Sequence, residues 1–168
     1  MALGLLIIRL AVGLTLASHG SQKLFGLFGG HGLTGTGGFF ESLGFRPGKP
    51  LALLAGLGEL CGGLALALGL FTPFAAALVI ATMVVAMLGV HIEKGFFSQN
   101  GGYEYALLMA LTAVGVAFSG PGALSLDVAL GLSLAGTWWG VVALVLGIIG
   151  ALPPLLARAL SMRRRVST

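Results

Sequence analysis

Charged residues are scarce in this chain of 168 residues, where they make up 8% of the total against roughly 25% in a soluble domain. So few charges cannot cover a water-exposed surface of this size, which excludes a soluble globular domain. The single cysteine, Cys61, excludes an intrachain disulfide and any dithiol redox cycle confined to the chain. The sequence has no nucleotide-binding fingerprint and no nucleophile triad, which are the usual signatures of a self-sufficient enzyme.

Apolar residues and glycine take the place of the missing charges. Hydrophobic residues account for 57% of the chain, and the 29 glycines exceed the typical share of ~7%. Glycine lets helices approach closely in a membrane, where lipid provides little hydrophobic drive for association. The net charge of +4 does not indicate nucleic-acid binding, because Arg163, Arg164 and Arg165 follow an apolar segment as a topology anchor would. The sequence therefore predicts a small, multi-pass helical protein whose main partner is the lipid bilayer.

Several apolar segments approach or reach the ~20 residues needed to cross a bilayer. The predicted spans are Leu3–Ala17 with an extension to Phe28, Leu51–Phe71, Pro73–Val90, Tyr105–Ser119 with an extension to Tyr103, and Trp138–Ala157. These segments lack the period-two alternation of membrane strands. Two alternatives stay open: Pro153 and Pro154 would kink or end the last helix and make it re-entrant, and the first segment would be a signal peptide if it were cleaved near Ala17. The absence of a basic leader argues against cleavage.

The loops divide between two sides of the predicted bundle. Side A takes the N-terminus, the short turn Phe71–Pro73 and the segment Gly120–Thr137. Side B takes Gly29–Pro50, His91–Gly102 and the C-terminal tail. The basic residues of the loops and tail concentrate on side B: Arg46, Lys49, Lys94, Arg158, Arg163, Arg164 and Arg165. The positive-inside rule therefore predicts a multi-pass protein of the inner (plasma) membrane with a cytoplasmic C-terminus and an external N-terminus.

Ionisable residues within the predicted spans are the first candidates for function, because each costs several kcal/mol at membrane depth unless it is paired. At about 100° per residue, Arg9, His19 and Lys23 share one face of the first helix. Glu59 lies at a similar depth in the second helix, so a contact with His19 or Lys23 is geometrically possible. We interpret His19 and Glu59 as catalytic proton-exchanging groups and Lys23 as a substrate-binding residue; a structural Lys23–Glu59 pair is the alternative. Arg9 is expected to extend to the membrane interface.

Further polar residues stand where the third and fourth predicted spans meet side B. His91 ends one span, and Tyr103 and Glu104 begin the next, so all three are candidate substrate-binding residues. Glu104 also suits the positive end of a helix dipole, and a solvated loop is the alternative for His91. No spacing of metal ligands occurs, and no metal site is predicted. Cys61 is expected to pack in an apolar setting.

The residues picked out above resemble, in order, the DoxX family of small bacterial membrane proteins. The matching stretches are RLAVG at 9–13, HGSQKLF at 19–25, GELCGG at 58–63, GLFTP at 69–73, GGYEYA at 101–106 and GPGALSLD at 120–127. The resemblance implies a four-helix membrane core, and relatives are described as oxidoreductase-associated or, in the DoxD type, as subunits of a thiosulfate:quinone oxidoreductase. The segment Trp138–Ala157 and the basic tail depart from this pattern.

We therefore predict an all-α membrane bundle: a four-helix domain over residues 1–130, a peripheral C-terminal transmembrane helix within 131–160, and a basic cytoplasmic tail over 161–168. The predicted function is that of a membrane subunit in a quinone-linked oxidoreductase system. It has no built-in cofactor, and its polar site holds a quinone or a small sulfur- or oxygen-bearing substrate. Redox partner subunits or further copies of the chain are the expected protein partners. The alternative is a non-enzymatic conduit or assembly anchor with a structural polar network.

Overall fold

The computed structural model describes the backbone of residues 2–166 and the side chains of residues 2–164. Its helices are α1 (Ala2–Phe25), α2 (Gly32–Ser42), α3 (Gly48–Leu68), α4 (Thr72–Ala86), α5 (Glu104–Ser119), the short α6 (Leu126–Ala129) and α7 (Thr137–Val166). No strand occurs within the described residues. The predicted all-α membrane bundle is confirmed.

Four of the helical stretches are long and apolar enough to cross a membrane: Ala2–Phe25, Gly48–Leu68, Thr72–Lys94 and Thr137–Arg164. The apolar helix α5 is shorter, with 16 residues or about 24 Å at 1.5 Å per residue. It nevertheless runs from one end of the bundle to the other. It begins beside Gly101, which contacts His91, and ends at Gly120, directly before the Pro121 carbonyl that binds Arg9.

Glycine contacts bring α1 and α3 into close packing along their length. A Cβ atom at Gly20 would lie 2.5 Å from the backbone nitrogen of Leu60, and one at Gly63 would lie 2.5 Å from the carbonyl oxygen of Gly13. Such approaches are possible only without side chains, and they are a common device for joining helices in lipid. This packing sets the register of α1 against α3. It thereby fixes the positions of His19 and Lys23 relative to Glu59.

A tight turn joins α3 to α4 at side A. Gly69 ends α3 in the left-handed conformation with φ of 62°, and Pro73 follows in the first turn of α4, where its missing N–H costs nothing. The fully buried Asp127 carboxylate accepts hydrogen bonds from Phe71 N at 2.7 Å, Thr72 N at 2.9 Å and Thr72 Oγ1 at 2.7 Å. Asp127 therefore caps α4 from a distant part of the chain.

Arg9 is fully buried at side A, and the expectation that it extends to the membrane interface is wrong. Its guanidinium donates to the Pro121 carbonyl oxygen and to the Leu124 carbonyl oxygen, the second at 2.5 Å. A side chain at Gly69 would overlap this guanidinium. Buried polar groups are stable when they find partners, and the loop after α5 provides carbonyl groups within reach of Arg9. Arg9 thus joins α1 to two connections of the bundle.

The segment Gly29–Pro50 was expected to be a loop, but it contains the helix α2. Glycine-rich sequence favours turns, yet α2 packs against α1 and α3, with Thr36, Gly37 and Phe40 buried. A Cβ atom at Gly37 would lie 2.8 Å from the Lys49 side chain. Tertiary packing therefore overrides the weak local propensity of these glycines.

Helix α7 continues through Pro153 and Pro154 and ends beyond the predicted span, at Val166. Prolines are tolerated in membrane helices where neighbouring groups compensate for the lost backbone bonds. The helix is not peripheral: it packs against α4 and α5, and Ala143 and Ala151 are buried. The predicted tail 161–168 is helical as far as residue 166, and residues 167–168 lie outside the described part of the chain.

The side B end of α7 contacts both long connections of that side through Arg158. Arg158 Nε donates to the Leu43 carbonyl oxygen at 2.9 Å, and the guanidinium carbon lies 5.7 Å from the Phe45 ring centroid. Arg158 also lies 3.9 Å from the exposed carboxylate of Glu93. Phe45 itself is buried against Gly89, where a Cβ atom would overlap the ring.

Candidate functional site

A cavity of about 1000 Å³ lies in the side B half of the bundle. Helices α1 to α5 and α7 contribute to its walls, together with the loop that precedes α5. Four of the predicted site residues line it and form what we call the polar cluster: His19, Lys23, Glu59 and His91. The cavity therefore brings together residues that are up to 72 positions apart in the chain.

Glu59 and Lys23 form an ion pair at the centre of the polar cluster. Lys23 Nζ lies 2.5 Å from Glu59 Oε2, and the side chains are 24% and 6% exposed, respectively. The contact predicted between the first two spans therefore forms. Glu59 has room to reach α1 because Gly56, one turn earlier, lies against Leu24 and Lys23 without a side chain. A charge pair of this kind relieves the cost of placing each group in the membrane.

His19 is oriented by a chain of two hydrogen bonds. Its Nδ1 atom lies 3.1 Å from Gln22 Oε1, and the Gln22 amide nitrogen donates to the Phe28 carbonyl oxygen at 3.1 Å. Because the amide nitrogen is engaged elsewhere, the amide oxygen faces the ring and His19 Nδ1 carries the proton. The other ring nitrogen, Nε2, is then an acceptor in the neutral imidazole. Within the described residues, no hydrogen bond joins His19 to Glu59.

His91 is presented to the cavity by a change in helix type. The end of α4 widens into a π-helical segment, Met87–His91, which is a feature that often accompanies functional sites. His91 Nδ1 lies 2.6 Å from the Gly101 carbonyl oxygen, which can only accept, so Nδ1 is the donor and Nε2 is an acceptor. The two histidines therefore share the same tautomer, each with its Nδ1 anchored on the protein.

Tyr103 and Glu104 are not among the residues that line the cavity. Glu104 Oε2 accepts from the Ser98 backbone at 2.9 Å, and it occupies the first turn of α5, as expected for a helix-dipole partner. The Tyr103 ring packs edge-to-face on Phe96, with centroids 5.5 Å apart. Both residues thus shape the loop that carries Gly101, the partner of His91. Their predicted contact with substrate has no geometric support in the cavity lining.

Tyr105 lines the cavity but was missed as a candidate from the sequence. Its ring lies edge-to-face with the His19 ring, at 6.4 Å between centroids, and it bridges α1 and α5 where these helices have few other contacts. The adjacent Tyr103 was chosen instead because nothing local distinguishes two tyrosines on either side of one glutamate. Helical rotation of about 200° between them sends them in opposite directions.

Cys61 and possible metal ligands are the remaining candidates from the sequence. Cys61 is exposed and lines the cavity, and the expectation of a buried packing role is wrong. Within the described residues, no group of three or more histidine, cysteine, aspartate or glutamate side chains could hold a metal ion.

Comparisons with known proteins agree with the family resemblance found in the sequence. The DoxX family model matches residues 4–92. An uncharacterized protein of Haemophilus influenzae is 34% identical over 127 residues, which cover 71% of this chain and 85% of the relative. A Bacillus subtilis protein named "Putative oxidoreductase CatD" is 30% identical over 125 residues, which cover 74% of this chain and 85% of the relative. No solved structure matches the chain.

Proposed function

The chain belongs to the DoxX family of membrane proteins, and from this premise we propose that it is a membrane subunit of a quinone-linked oxidoreductase system. The observation that carries the proposal is the polar cluster: two histidines, a lysine and a carboxylate surround one cavity in an otherwise apolar bundle. Polar groups at membrane depth indicate a functional site when they face a cavity. The relative named as an oxidoreductase supports a redox role.

The side chains of the polar cluster suit the two oxygens of a quinone ring. Lys23 keeps donors beyond the one used by Glu59, so it can hold an oxygen that becomes negatively charged. His19 Nε2 accepts a proton from a quinol hydroxyl and, when protonated, returns it to a carbonyl oxygen. Glu59 is the second proton-exchanging group, because its carboxylate lies at the cavity wall beside Lys23. General acid–base groups act over such hydrogen-bond distances.

The reaction requires two protons and two electrons for each quinone reduced to quinol, or their release in the opposite direction. His19 and Glu59 handle the protons, and His91 stands at the side B mouth, where exchange with water is possible. The electrons come from a redox partner protein, since the sequence has no motif for a built-in carrier. Tyr103 and Glu104 are positioning residues in this proposal, since they hold the loop that anchors His91.

We also propose that the protein lies in the plasma membrane with side B cytoplasmic. The partner subunit, or a second copy of the chain, would then dock at the side B end, close to His91. This placement follows the basic residues of side B and the position of the cavity in that half of the bundle.

The test is native mass spectrometry of the full chain in lipid nanodiscs, scoring bound quinone and co-purified subunits. Wild-type protein is expected to retain quinone. Glu59→Gln is expected to weaken quinone binding by about tenfold, as loss of one charged hydrogen bond would. Glu93→Gln, at a carboxylate with a side chain that is 83% exposed, is the matched control and should bind as the wild type does. Copies with phospholipid alone after several mild extractions would contradict the proposal.

A non-enzymatic conduit or assembly anchor is the second candidate function. The ion pair between Lys23 and Glu59 favours this second function. A structural network consists of paired charges and does not need an unpaired reactive group. Under this alternative, Glu59→Gln protein aggregates or is lost from the membrane. Under the redox proposal it retains its expression level and oligomeric state and loses quinone.

A further inference from the structure

The cavity continues beyond the polar cluster into a region without charged groups, which we call the apolar arm. Helices α3, α4 and α7 form its walls with Leu54, Leu57, Leu78, Ala81, Gly150 and Pro154. Leu54 and Leu57 are 56% and 44% exposed, so the arm opens on the outer, lipid-facing surface of the bundle. The cavity thus connects a polar centre to the lipid.

The apolar arm lies on the other side of α3 from Glu59. At about 100° per residue, Leu57 is turned by about 200° from Glu59 and Leu54 by about 140°. Because one cavity contacts both faces, it passes between the side B halves of α3 and α4. Towards side A these helices are held together by the turn at Gly69 and by the close approach of Gly62 to Leu78 and of Gly58 to Thr82.

Small residues line the apolar arm where α4 and α7 pack closely together. Gly150 has no side chain, and a Cβ atom there would lie 3.3 Å from the Ala81 Cβ atom. Larger side chains at either position would narrow the passage. Gly150 and Pro154 belong to α7, which lies outside the residues that the DoxX family model matches. The end of the arm is therefore built by a part of this chain beyond the family core.

We infer that the apolar arm holds the hydrocarbon chain of the ligand whose ring occupies the polar cluster. The substrate class is accordingly a lipid quinone with a long isoprenoid chain, and a short water-soluble quinone or a small sulfur anion lacks the part that fills the arm. This inference rests on the proposed function. A chain that moves from lipid into a protein groove gains little hydrophobic free energy, so the arm selects by shape: it gives the chain a path out of the cavity.

The experiment compares two quinones that share one ring, a long-chain form and a form with a single isoprene unit. Binding of each is measured with the full chain in nanodiscs. Gly150→Leu and Ala81→Leu both narrow the arm, from α7 and from α4. Gly115→Leu, on an exposed face of α5 with nothing within 4 Å of the added Cβ atom, is the matched control. Thermal unfolding of each variant identifies any loss of folded protein.

We expect Gly150→Leu and Ala81→Leu to weaken binding of the long-chain quinone by about tenfold, or ~1.4 kcal/mol, while the short-chain form binds as it does to wild-type protein. Gly115→Leu should change neither. Equal binding of the long chain to narrowed and wild-type protein would overturn the arm while leaving the redox proposal intact. Equal loss of both quinones in the two folded variants would also overturn it. If wild-type protein binds neither quinone, the proposed function itself fails.

Discussion

Two buried carboxylates show how one residue type serves two purposes in this membrane bundle. Asp127 is fully buried, and both of its oxygens accept from the turn between α3 and α4, so no acceptor faces a cavity. Glu59 is 5% exposed, and one oxygen meets Lys23 at a cavity wall. The difference lies in the partners: backbone N–H groups fix a carboxylate for structure, whereas a lysine beside open space leaves it available for chemistry.

At the residue scale, we predict that Asp127→Asn destabilises the protein by about 2 kcal/mol. In the wild-type protein, the two carboxylate oxygens of Asp127 accept hydrogen bonds from three donors. The asparagine amide has only one acceptor oxygen, so at least one hydrogen bond from Phe71 or Thr72 is lost. The measurement is the midpoint of thermal or denaturant unfolding in detergent, with Glu93→Gln as the exposed control. An Asp127→Asn protein as stable as the wild type would show that the cap contributes nothing.

At the scale of elements, the contact between α1 and α3 determines where the polar cluster forms. Gly58 and Gly62 of α3 face α4, near Thr82 and Leu78. The glycines that join α1 to α3 include Gly13, Gly20 and Gly63. Glycine content predicts close packing in a membrane, but which partner each glycine meets depends on the arrangement of all the helices.

We predict that Gly20→Ala destabilises the bundle by about 1–3 kcal/mol, the usual cost of overpacking. The added methyl group would lie 2.5 Å from the Leu60 backbone nitrogen, and backbone cannot move aside as a side chain can. Gly115→Ala places the same group in open space and should be neutral, or slightly stabilising through helix propensity. Denaturant titration of both variants in detergent is the test. Equal stability of the two would contradict close α1–α3 packing.

At the scale of the whole molecule, the two ends of the bundle differ in character. Arg9 and Asp127 are buried at side A among backbone groups, whereas Arg46, Lys49 and Lys94 remain exposed at side B. A buried arginine whose two terminal nitrogens donate to backbone carbonyl groups does not act as a topology signal on a loop. The imbalance of exposed basic residues is therefore larger than a count of arginine and lysine suggests.

We predict that reporters fused to the two termini of the full chain respond on opposite sides of the membrane. The C-terminal reporter should be active in the cytoplasm, and the N-terminal reporter outside it, because α1, α3, α4, α5 and α7 make an odd number of crossings. Paired reporters that are active only inside or only outside the cell provide the measurement. Both termini on one side would mean that one helix does not cross, and a cytoplasmic N-terminus would reverse the predicted orientation.

The sequence by itself determined the membrane class and the positions of the long helices, and it limited the partners expected for Glu59 to His19 and Lys23. These follow from properties of single segments: long apolar runs partition into lipid, and an isolated charge at depth requires a partner nearby. Arg9 was misread for the same reason, because its segment alone offers no partner. Its carbonyl acceptors come from Pro121 and Leu124, more than a hundred residues further along the chain.

Only the tertiary structure decided that α2 is helical, that Tyr105 rather than Tyr103 lines the cavity, and that the cavity reaches α7. Each outcome depends on contacts between distant segments, where close packing selects one arrangement among those that the local sequence allows. The identity of a glycine or a tyrosine does not show which neighbouring helix or cavity the residue will face. The packing of the surrounding helices decides this. The composition of the site is therefore readable from the chain, while its shape arises from the packing of the helices.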